Sequence, residues 1–459
     1  MPETAFSSLP LSPAQLRTLD ELGYRRMTPI QAASLPLAMA GTDLIAQAAT
    51  GSGKTAAFAL PLLSQLNPRD FGTQALVLCP TRELASQVAG EIRRLARHRQ
   101  NIKVAILCGG QPLGPQIASL AHGAHVVVGT PGRVRDHLRK QTLDLGRVGC
   151  LVLDEADRML DMGFLEDMEA IIAAAPDRRQ TLLFSATFPG DIQRVSDRFQ
   201  RAPRRVAVDS LPAHTQIDQR FFSCEAARRL SALRCLLGHY QPEAAVVFCN
   251  TRQTVGEICA FLQEQGISAA ALHGELEQRD RERVLAQFRQ SSIRILVATD
   301  VAARGLDIDG LPAVVNYQLP HSADVYVHRV GRTGRAGESG LALSLFSDAE
   351  RHRLEAIGDY LQRCPEVAAI DTLDGSGASL PPPAFVTLEI AAGRKDKIRP
   401  GDILGALTKE AGIDSGQVGR IEVLERVAYV AIAREVADLA LGRLLNGRIK
   451  GRRLKLRRL

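Results

Sequence analysis

Twice along this chain, short runs of uninterrupted apolar residues alternate with amphipathic helical stretches. In the first half the runs are ALVLCP (75–80), HVVVGT (125–130), CLVLDE (150–155) and TLLFSAT (181–187). In the second half they are AAVVFCN (244–250), IRILVATD (293–300), PAVVNY (312–317) and LALSLF (341–346). A strand with one wet face alternates apolar and polar residues. A strand that is apolar throughout is buried on both faces, as in a parallel sheet with helices on each side. The stretches Glu83–Arg97 and Asp280–Gln290 supply such helices. The pattern predicts an α/β chain with two parallel-sheet domains in tandem, each of about 150–200 residues.

The first boundary falls near Arg201–His214, a polar, Pro-containing stretch, and DTLDGSGASLPPP (371–383) has the Gly, Ser and Pro content of a linker. Beyond it FVTLEI and RVAYVAIA read as strands, and KIRPGDILGALTKEAGI and REVADLALGRLLNG as helices. That order predicts a small ferredoxin-like α+β domain. The expected domains are therefore 1–205, 215–370 and 384–459, with 371–383 as the linker.

At 45% hydrophobic and 23% charged residues, wholesale disorder is excluded. No apolar run approaches the roughly 18 residues a membrane span needs. The start, MPETAFSSLPLSPAQ, lacks the basic and apolar regions of a secretory signal. Eight cysteines without a C-x-x-C pair argue against a zinc site or a disulfide framework, so a reducing cytoplasm is expected. The net charge of +7 is concentrated at one end. Residues 384–459 hold 16 Lys and Arg against 9 Asp and Glu, whereas the other 383 residues hold 41 of each sign. NGRIKGRRLKLRRL at the end has seven basic residues in fourteen and no acid, which suggests a polyanionic partner.

Ala48-Ala49-Thr50-Gly51-Ser52-Gly53-Lys54-Thr55 follows the apolar DLIAQ and precedes a helical stretch. Glycines there let backbone N–H groups turn inward around phosphate oxygens, at a helix N-terminus that favours anions. Lys54 would reach the β- and γ-phosphates and the Thr55 hydroxyl would ligate Mg²⁺. The usual pattern opens with Gly, and this chain has Ala48. Asp154-Glu155-Ala156-Asp157 ends an apolar strand, at the sheet edge where ligands bind in such folds. Asp154 is the natural second Mg²⁺ partner, and Glu155 is placed to orient or deprotonate an attacking water. In the second domain Arg332 and Arg335 of HRVGRTGR (328–335) could stabilise charge on a γ-phosphate.

Together these segments resemble the DEAD-box RNA helicases over nearly the whole chain. Phe6, Gly23-Tyr24 and Thr28–Gln31 resemble the Q motif, residues 48–55 motif I, and Pro80–Ala85, Gly109-Gly110 and Thr130–Arg133 motifs Ia, GG and Ib. Asp154–Asp157 spell the family's name. Ser185–Thr187 resemble motif III, Val247–Arg252 motif IV, Gln278 and Arg281 motif IVa, Ala298–Asp307 motif V and His328–Arg335 motif VI. The resemblance implies two RecA-like domains, ATP and Mg²⁺ as cofactors, and an RNA-dependent ATPase that closes its cleft on both ligands. It implies that Phe6 stacks on adenine and Gln31 bonds its edge. Ala48, Ala49, Thr50, Gly51, Ser52, Gly53, Lys54, Thr55, Gly305 and Asp307 would meet the rest of the nucleotide. Ser185, Thr187, Asp157 and His328 would couple the nucleotide site to RNA. Thr81, Arg82, Gly110, Thr130, Arg133, Arg252, Thr299 and Arg304 would hold RNA through phosphates and 2′-hydroxyls.

Residues 384–459 resemble the RNA-binding domain of a bacterial branch of this family, which has an RNA-recognition-motif fold. In that branch it docks on a hairpin of 23S ribosomal RNA and targets the helicase to large-subunit assembly. The motif's central strand asks for K/R-G-F/Y-G/A-F-V-x-F/Y, and of Glu425–Ile432 only Ala428, Tyr429 and Val430 fit. Basic side chains, among them Arg394, Lys395, Lys397, Arg399, Lys450, Arg452, Arg453 and Lys455, are therefore expected to grip folded RNA, and Tyr429 to be core. Two alternatives stay open: a general helicase with a non-specific basic tail, and an ATP-gated RNA clamp or chaperone. A monomer is expected, with a dimer possible within the family.

Overall fold

The computed structural model describes residues 4–48, 51–187, 190–208, 217–303, 310–334, 340–373 and 380–459. They form two compact units, one ending before residue 209 and one beginning at 217.

The first unit is a seven-stranded parallel sheet. Its strands are β1 (Leu44–Gln47), β2 (Ala75–Leu78), β3 (Val104–Leu107), β4 (Val126–Gly129), β5 (Cys150–Asp154), β6 (Gln180–Ser185) and β7 (Arg204–Ala207). They lie in the order β3-β4-β2-β5-β6-β1-β7. Side chains alternate across the sheet. Ala75 and Val77 enter one apolar core, while Leu76 and Leu78 enter the other. Both cores are closed by helices, which is why the central strands are apolar at every position.

The second unit begins with the same architecture. β8 (Ile217–Ser223), β9 (Ala245–Cys249), β10 (Ala269–Leu272), β11 (Ile295–Thr299), β12 (Ala313–Asn316), β13 (Gly340–Phe346) and β14 (Val367–Ala369) form a parallel sheet ordered β10-β11-β9-β12-β13-β8-β14. All eight apolar runs of the sequence lie in strands of these two sheets. The four sheet edges, β3, β7, β10 and β14, lie outside these runs; β7 and β14 are mostly exposed, whereas β3 (VAIL) and β10 (AAAL) are short apolar strands with partly buried positions.

The same unit ends in a four-stranded antiparallel sheet of β15 (Phe385–Ile390), β16 (Val418–Val423), β17 (Ala428–Ala433) and β18 (Leu456–Arg458), ordered β16-β17-β15-β18. With helices at Pro400–Gly405, continued by a π-helical turn over Ala406–Glu410, and at Ala437–Asn446, this is the ferredoxin-like arrangement. Val386, Leu388, Ile390, Val430 and Ile432 face the domain's own core. Between them Thr387, Glu389, Tyr429 and Ala431 point to the other face, and they are buried too. What covers them is the helix Gln278–Arg289 of the parallel-sheet domain and the turn that follows it. Arg283 Nε donates to Glu389 Oε2 at 2.8 Å, Arg289 to Glu422 at 2.9 Å, and the Ser292 and Thr387 hydroxyls share a hydrogen bond of 2.6 Å.

The residues before this domain are anchored as well. Leu380 is buried in the core of the parallel-sheet domain, and Arg294 donates to the carbonyls of Pro381 (2.7 Å) and Pro242 (2.9 Å). Arg434 donates to the carbonyl of Pro383 at 2.6 Å. Composition reads 371–383 as one linker, yet its last four residues are held in place by buried apolar surface and by arginine donors that a composition count does not weigh.

Candidate nucleotide site and nucleic-acid interface

Every strand of the first sheet is parallel, so its strand ends share one edge. The expected nucleotide residues cluster there on β1, β5 and β6. The loop after β1 turns through Gly51 (φ 81°) and Gly53 (φ 95°, ψ 19°) into the helix Lys54–Gln65. A side chain at Gly53 would meet Gln31 Nε2 at 2.5 Å, so this turn needs glycine for space as well as for backbone conformation. Gln31 is 1% exposed; its Nε2 donates to the Gly53 carbonyl at 3.0 Å and its Oε1 accepts from Thr28 N at 3.0 Å. Gln31 thus braces the loop after β1. Phe6 is packed into the core, edge-on to Tyr24 at 6.2 Å between ring centres, and the Tyr24 hydroxyl donates to Glu91 at 2.6 Å.

Lys54 Nζ and Asp154 Oδ1 are both buried, and neither has a hydrogen-bond partner among the described residues. Burial pushes the Asp154 carboxyl up to about 7, with Lys54 pulling the other way and Glu155 adding to the rise. Buried polar atoms normally have partners, so two orphans of opposite charge mark a place for a ligand. The donor set of a hydroxyl (Thr55) and a carboxylate (Asp154) fits Mg²⁺. That ion is usually held by one or two carboxylates, substrate phosphates and waters rather than by an all-protein cage. Among the described residues no cluster of three or more His, Cys, Asp or Glu side chains that could hold a metal ion occurs.

Glu155 sits in the left-handed region (φ 51°, ψ 53°) and is buried. A non-glycine residue there is strained, and such strain concentrates at functional turns. Asp157 links this turn to the segment after β6. Its Oδ2 accepts from Thr187 N and Thr187 Oγ1, both at 2.9 Å, and from Ala186 N at 3.2 Å. Ser185 Oγ donates to the Thr187 carbonyl at 2.6 Å, and its own carbonyl accepts from Ala48 N at 3.0 Å. Ala48, Asp157 and Ser185–Thr187, from the loop after β1, the DEAD segment and the segment ending β6, are therefore one bonded network.

The expected RNA residues of this domain gather along the same edge, on β2, β3 and β4. Thr81 caps the helix Arg82–Leu95, its hydroxyl accepting from Leu84 N at 3.3 Å. The Arg82 guanidinium lies in the space a side chain at Gly110 would occupy. Thr130 begins the helix Pro131–Arg139, from which Arg133 donates to the Gln111 carbonyl at 2.9 Å. The residues expected to meet nucleotide and RNA thus occupy adjacent halves of one sheet edge.

In the second domain Arg252 opens a helix after β9 and pairs with Glu275, and Thr299 ends β11. Arg281 donates to the Ala302 carbonyl at 2.6 Å. His328 lies in the helix Ala323–Val330, its Nδ1 buried without a partner among the described residues, and Arg332 follows it. Ala49, Thr50, Arg304, Gly305, Asp307 and Arg335 lie outside the described residues.

One residue of this domain had no role in the sequence reading. Arg329 is 2% exposed and makes five hydrogen bonds: two to Asp300 (2.6 and 2.8 Å), and one each to Asn250 (2.9 Å), Asn316 (3.1 Å) and the Gln318 carbonyl (2.7 Å). It ties the segments after β9, β11 and β12 to motif VI. Its described neighbours His328 and Arg332 are of similar chemistry and give no sign in the sequence that Arg329 faces inward.

In the C-terminal domain Lys395, Lys397, Lys450, Arg452 and Arg453 are all exposed. They lie on two loops, after β15 and before β18. Pairing of these strands joins the loops, with Ile390 opposite Leu456 and Ala391 N donating to Lys455 O at 2.9 Å. Lys450 Nζ also donates to the Lys397 carbonyl at 2.6 Å. The basic residues therefore form a patch at one end of the sheet. The sheet face, the usual base platform of RNA-recognition motifs, is covered, with Tyr429 only 1% exposed.

Among family models, "DEAD/DEAH box helicase" matches residues 28–195, "Helicase conserved C-terminal domain" residues 228–337, and "DbpA RNA binding domain" residues 387–458. The chain is 51% identical over 461 residues to the ATP-dependent RNA helicase DbpA of Escherichia coli (strain K12), covering 99% of each. It is 42% identical to the DEAD-box ATP-dependent RNA helicase CshA of Bacillus cereus, over 81% of this chain and 71% of the relative. A solved structure of S. cerevisiae Dbp5 bound to RNA and ADP BeF3 matches with a TM-score of 0.72 and 30% identity, over 80% of this chain and 96% of that one. Among the described residues no helix is long and apolar enough to cross a membrane.

Proposed function

The chain belongs to the DEAD-box ATP-dependent RNA helicases, and from that premise we propose that it remodels 23S ribosomal RNA during assembly of the large ribosomal subunit. The observation that carries this reading is the exposed basic patch on a domain of the DbpA type, in a chain whose helicase core has no net charge of its own. Such a core holds RNA by backbone shape, so choice among RNAs falls to the added domain.

Within the core, Thr55 and Asp154 would hold Mg²⁺, which neutralises charge on the β- and γ-phosphates of ATP. Lys54 pairs with the same phosphates through an ammonium that has no hydrogen-bond partner among the described residues. Glu155, at a strained turn beside Asp154, orients or deprotonates the attacking water. Gln31, Phe6 and residues 48–53 bind the nucleotide on the first domain, and Gly305, Asp307, Arg332 and Arg335 complete the site from the second when the cleft closes. Thr81, Arg82, Gly110, Thr130, Arg133, Arg252, Thr299 and Arg304 hold RNA. Asp157, Ser185, Thr187 and His328 connect the two sites, so each ligand helps assemble the other's. Lys395, Lys397, Lys450, Arg452 and Arg453 capture the folded target. The protein acts as a monomer in the cytoplasm.

The test is ATP hydrolysis by the purified chain. A fragment of 23S ribosomal RNA containing the peptidyl-transferase hairpin is compared with unrelated structured RNA of equal length at fixed salt, because non-specific phosphate binding weakens steeply with salt. Strong stimulation by the ribosomal fragment alone is expected, and equal stimulation would discard the ribosomal target. Deleting residues 384–459 should remove the preference while leaving RNA-dependent hydrolysis at high RNA.

A further inference from the structure

Two buried polar side chains stand behind the turn that follows β3, and neither belongs to the nucleotide or RNA residues described above. Gln116, 6% exposed, comes from the helix Leu113–Leu120, and His137, fully buried, from the helix Pro131–Arg139. Gln116 Nε2 donates to the carbonyl of Cys108 at 3.0 Å. An amide meets a carbonyl through its nitrogen, so the Gln116 oxygen is turned the other way, toward His137 Nε2 at 3.3 Å. Burial, with the charge of Arg133 acting in the same direction, holds the His137 ring below its ordinary value of 6.5, so it is neutral and carries one N–H. Facing an amide oxygen, that hydrogen sits on Nε2. Nδ1 meets the Thr142 hydroxyl at 2.8 Å.

What sets this pair apart from an ordinary bonded core histidine is where the bonds end. Cys108 immediately precedes Gly109-Gly110, and Gly110 turns with φ 65° beside the Arg82 guanidinium. On the far side of the turn the Gln111 carbonyl accepts from Arg133, which lies one turn before His137 on the same helix. The helix Pro131–Arg139 thus holds the turn at both ends, at Gln111 directly and at Cys108 through Gln116. Two successive glycines have more backbone freedom to lose than any other pair, so a turn built on them keeps one shape only if its flanks are held.

We infer that His137 and Gln116 are positioning residues for RNA binding. The relay from His137 through Gln116 to the Cys108 carbonyl holds the Gly109-Gly110 turn in the shape that receives an RNA backbone, in register with Thr130 and Arg133. The inference rests on the reading that Gly110, Thr130 and Arg133 hold RNA. A turn already in its bound shape does not have to be ordered on binding. Loss of the relay therefore weakens RNA binding and leaves nucleotide binding, on the other half of the sheet edge, as it was.

The experiment uses the full chain. With a non-hydrolysable ATP analogue at saturation, fluorescence anisotropy reads the affinity for a dye-labelled uridine strand of about ten nucleotides, an unstructured probe of the core. Affinity for a fluorescent nucleotide is read separately, without RNA. His137→Gln places an amide nitrogen near the position of Nε2 and keeps the bond to Gln116. His137→Asn reaches only the position of Nδ1, keeping Thr142 and losing Gln116. The Asn variant should bind the strand about tenfold more weakly, as should Gln116→Met, whereas the Gln variant stays within about twofold of the unmodified chain. Nucleotide affinity should move no more than about twofold in all three.

Equal strand affinity in His137→Asn and the unmodified chain, while Arg133→Ala weakens it, overturns the relay and leaves the RNA reading of this edge standing. Equal weakening by the Asn and Gln variants, or a joint fall of strand and nucleotide affinity, also overturns it and makes His137 a core residue alone. If Arg133→Ala binds the strand unchanged as well, the RNA reading of this edge fails, and the relay has nothing to position.

Discussion

The two helicase domains share one architecture and differ in what they do with buried charge. In the first, Lys54 and Asp154 are buried and polar atoms of both lack hydrogen bonds among the described residues. In the second, Arg329 is as deeply buried and has five hydrogen bonds, two of them to Asp300. An unpaired buried charge weakens a fold unless a ligand answers it, whereas a fully bonded one specifies a single arrangement. On the proposed function the first domain keeps its charges for the nucleotide; the second uses the same kind of charge to hold its own motif-bearing loops in register.

The largest effect expected from that contrast is chemical. Glu155→Gln should lower ATP turnover by roughly 100- to 10,000-fold, the usual contribution of a general base, while trapping a complex with ATP and RNA. A variant that turns over ATP at the normal rate in a steady-state assay removes Glu155 from the mechanism. Next comes the fold. Arg329→Met leaves Asp300, Asn250 and Asn316 without their shared donor and should destabilise the second domain by about 3–5 kcal/mol, the range for breaking a buried ion pair. Chemical denaturation of the full chain measures it.

Lys54→Met sharpens the comparison. It should abolish nucleotide binding and yet cost the fold only roughly 1 kcal/mol, an ordinary value for a point change, because Asp154 can answer by binding a proton. If Lys54→Met unfolds the first domain as readily as Arg329→Met does the second, the contrast fails.

The smallest effect is at the Glu389 joint. Burial opposes ionisation of this carboxyl, but Arg457 and Arg283 outweigh it and hold it below its ordinary value of 4.5. A carboxylate with a depressed value stabilises above its unfolded value, and that contribution is lost as pH falls through the folded one. The joint should therefore be intact at neutral pH and loosen only below about 4.5. The distribution of distances between a dye on the second helicase domain and one on the C-terminal domain, read by single-molecule energy transfer, should broaden there in the native chain and change less with pH in Glu389→Gln, where the Arg289–Glu422 pair still spans the seam.

Much of this was legible in the residues alone. Continuous apolar runs identify strands buried on both faces, and all eight lie in the two parallel sheets. Gly51, Gly53 and Lys54 lead to the expectation of a phosphate loop because few other uses need glycine and lysine at that spacing, and the structure turns through both glycines with positive φ. The edge strand β14 was not legible, since it is exposed along its whole length and carries no burial signal.

What the sequence by itself determined is local. Periodicity and turn chemistry depend on residues a few positions apart, and they specify the strands, the loop after β1 and the basic end. Which buried charges are partnered was decided only by the tertiary structure. Arg329 and Arg332 look alike in HRVGRTGR, and only the folded chain brings Asn250, Asp300 and Asn316 around the first. Likewise Glu389 reads as a wet residue on an alternating strand until Arg279 and Arg283, more than a hundred positions earlier, close over it. Burial is a property of everything packed against a residue, and partners so distant in the chain leave no mark in its local pattern.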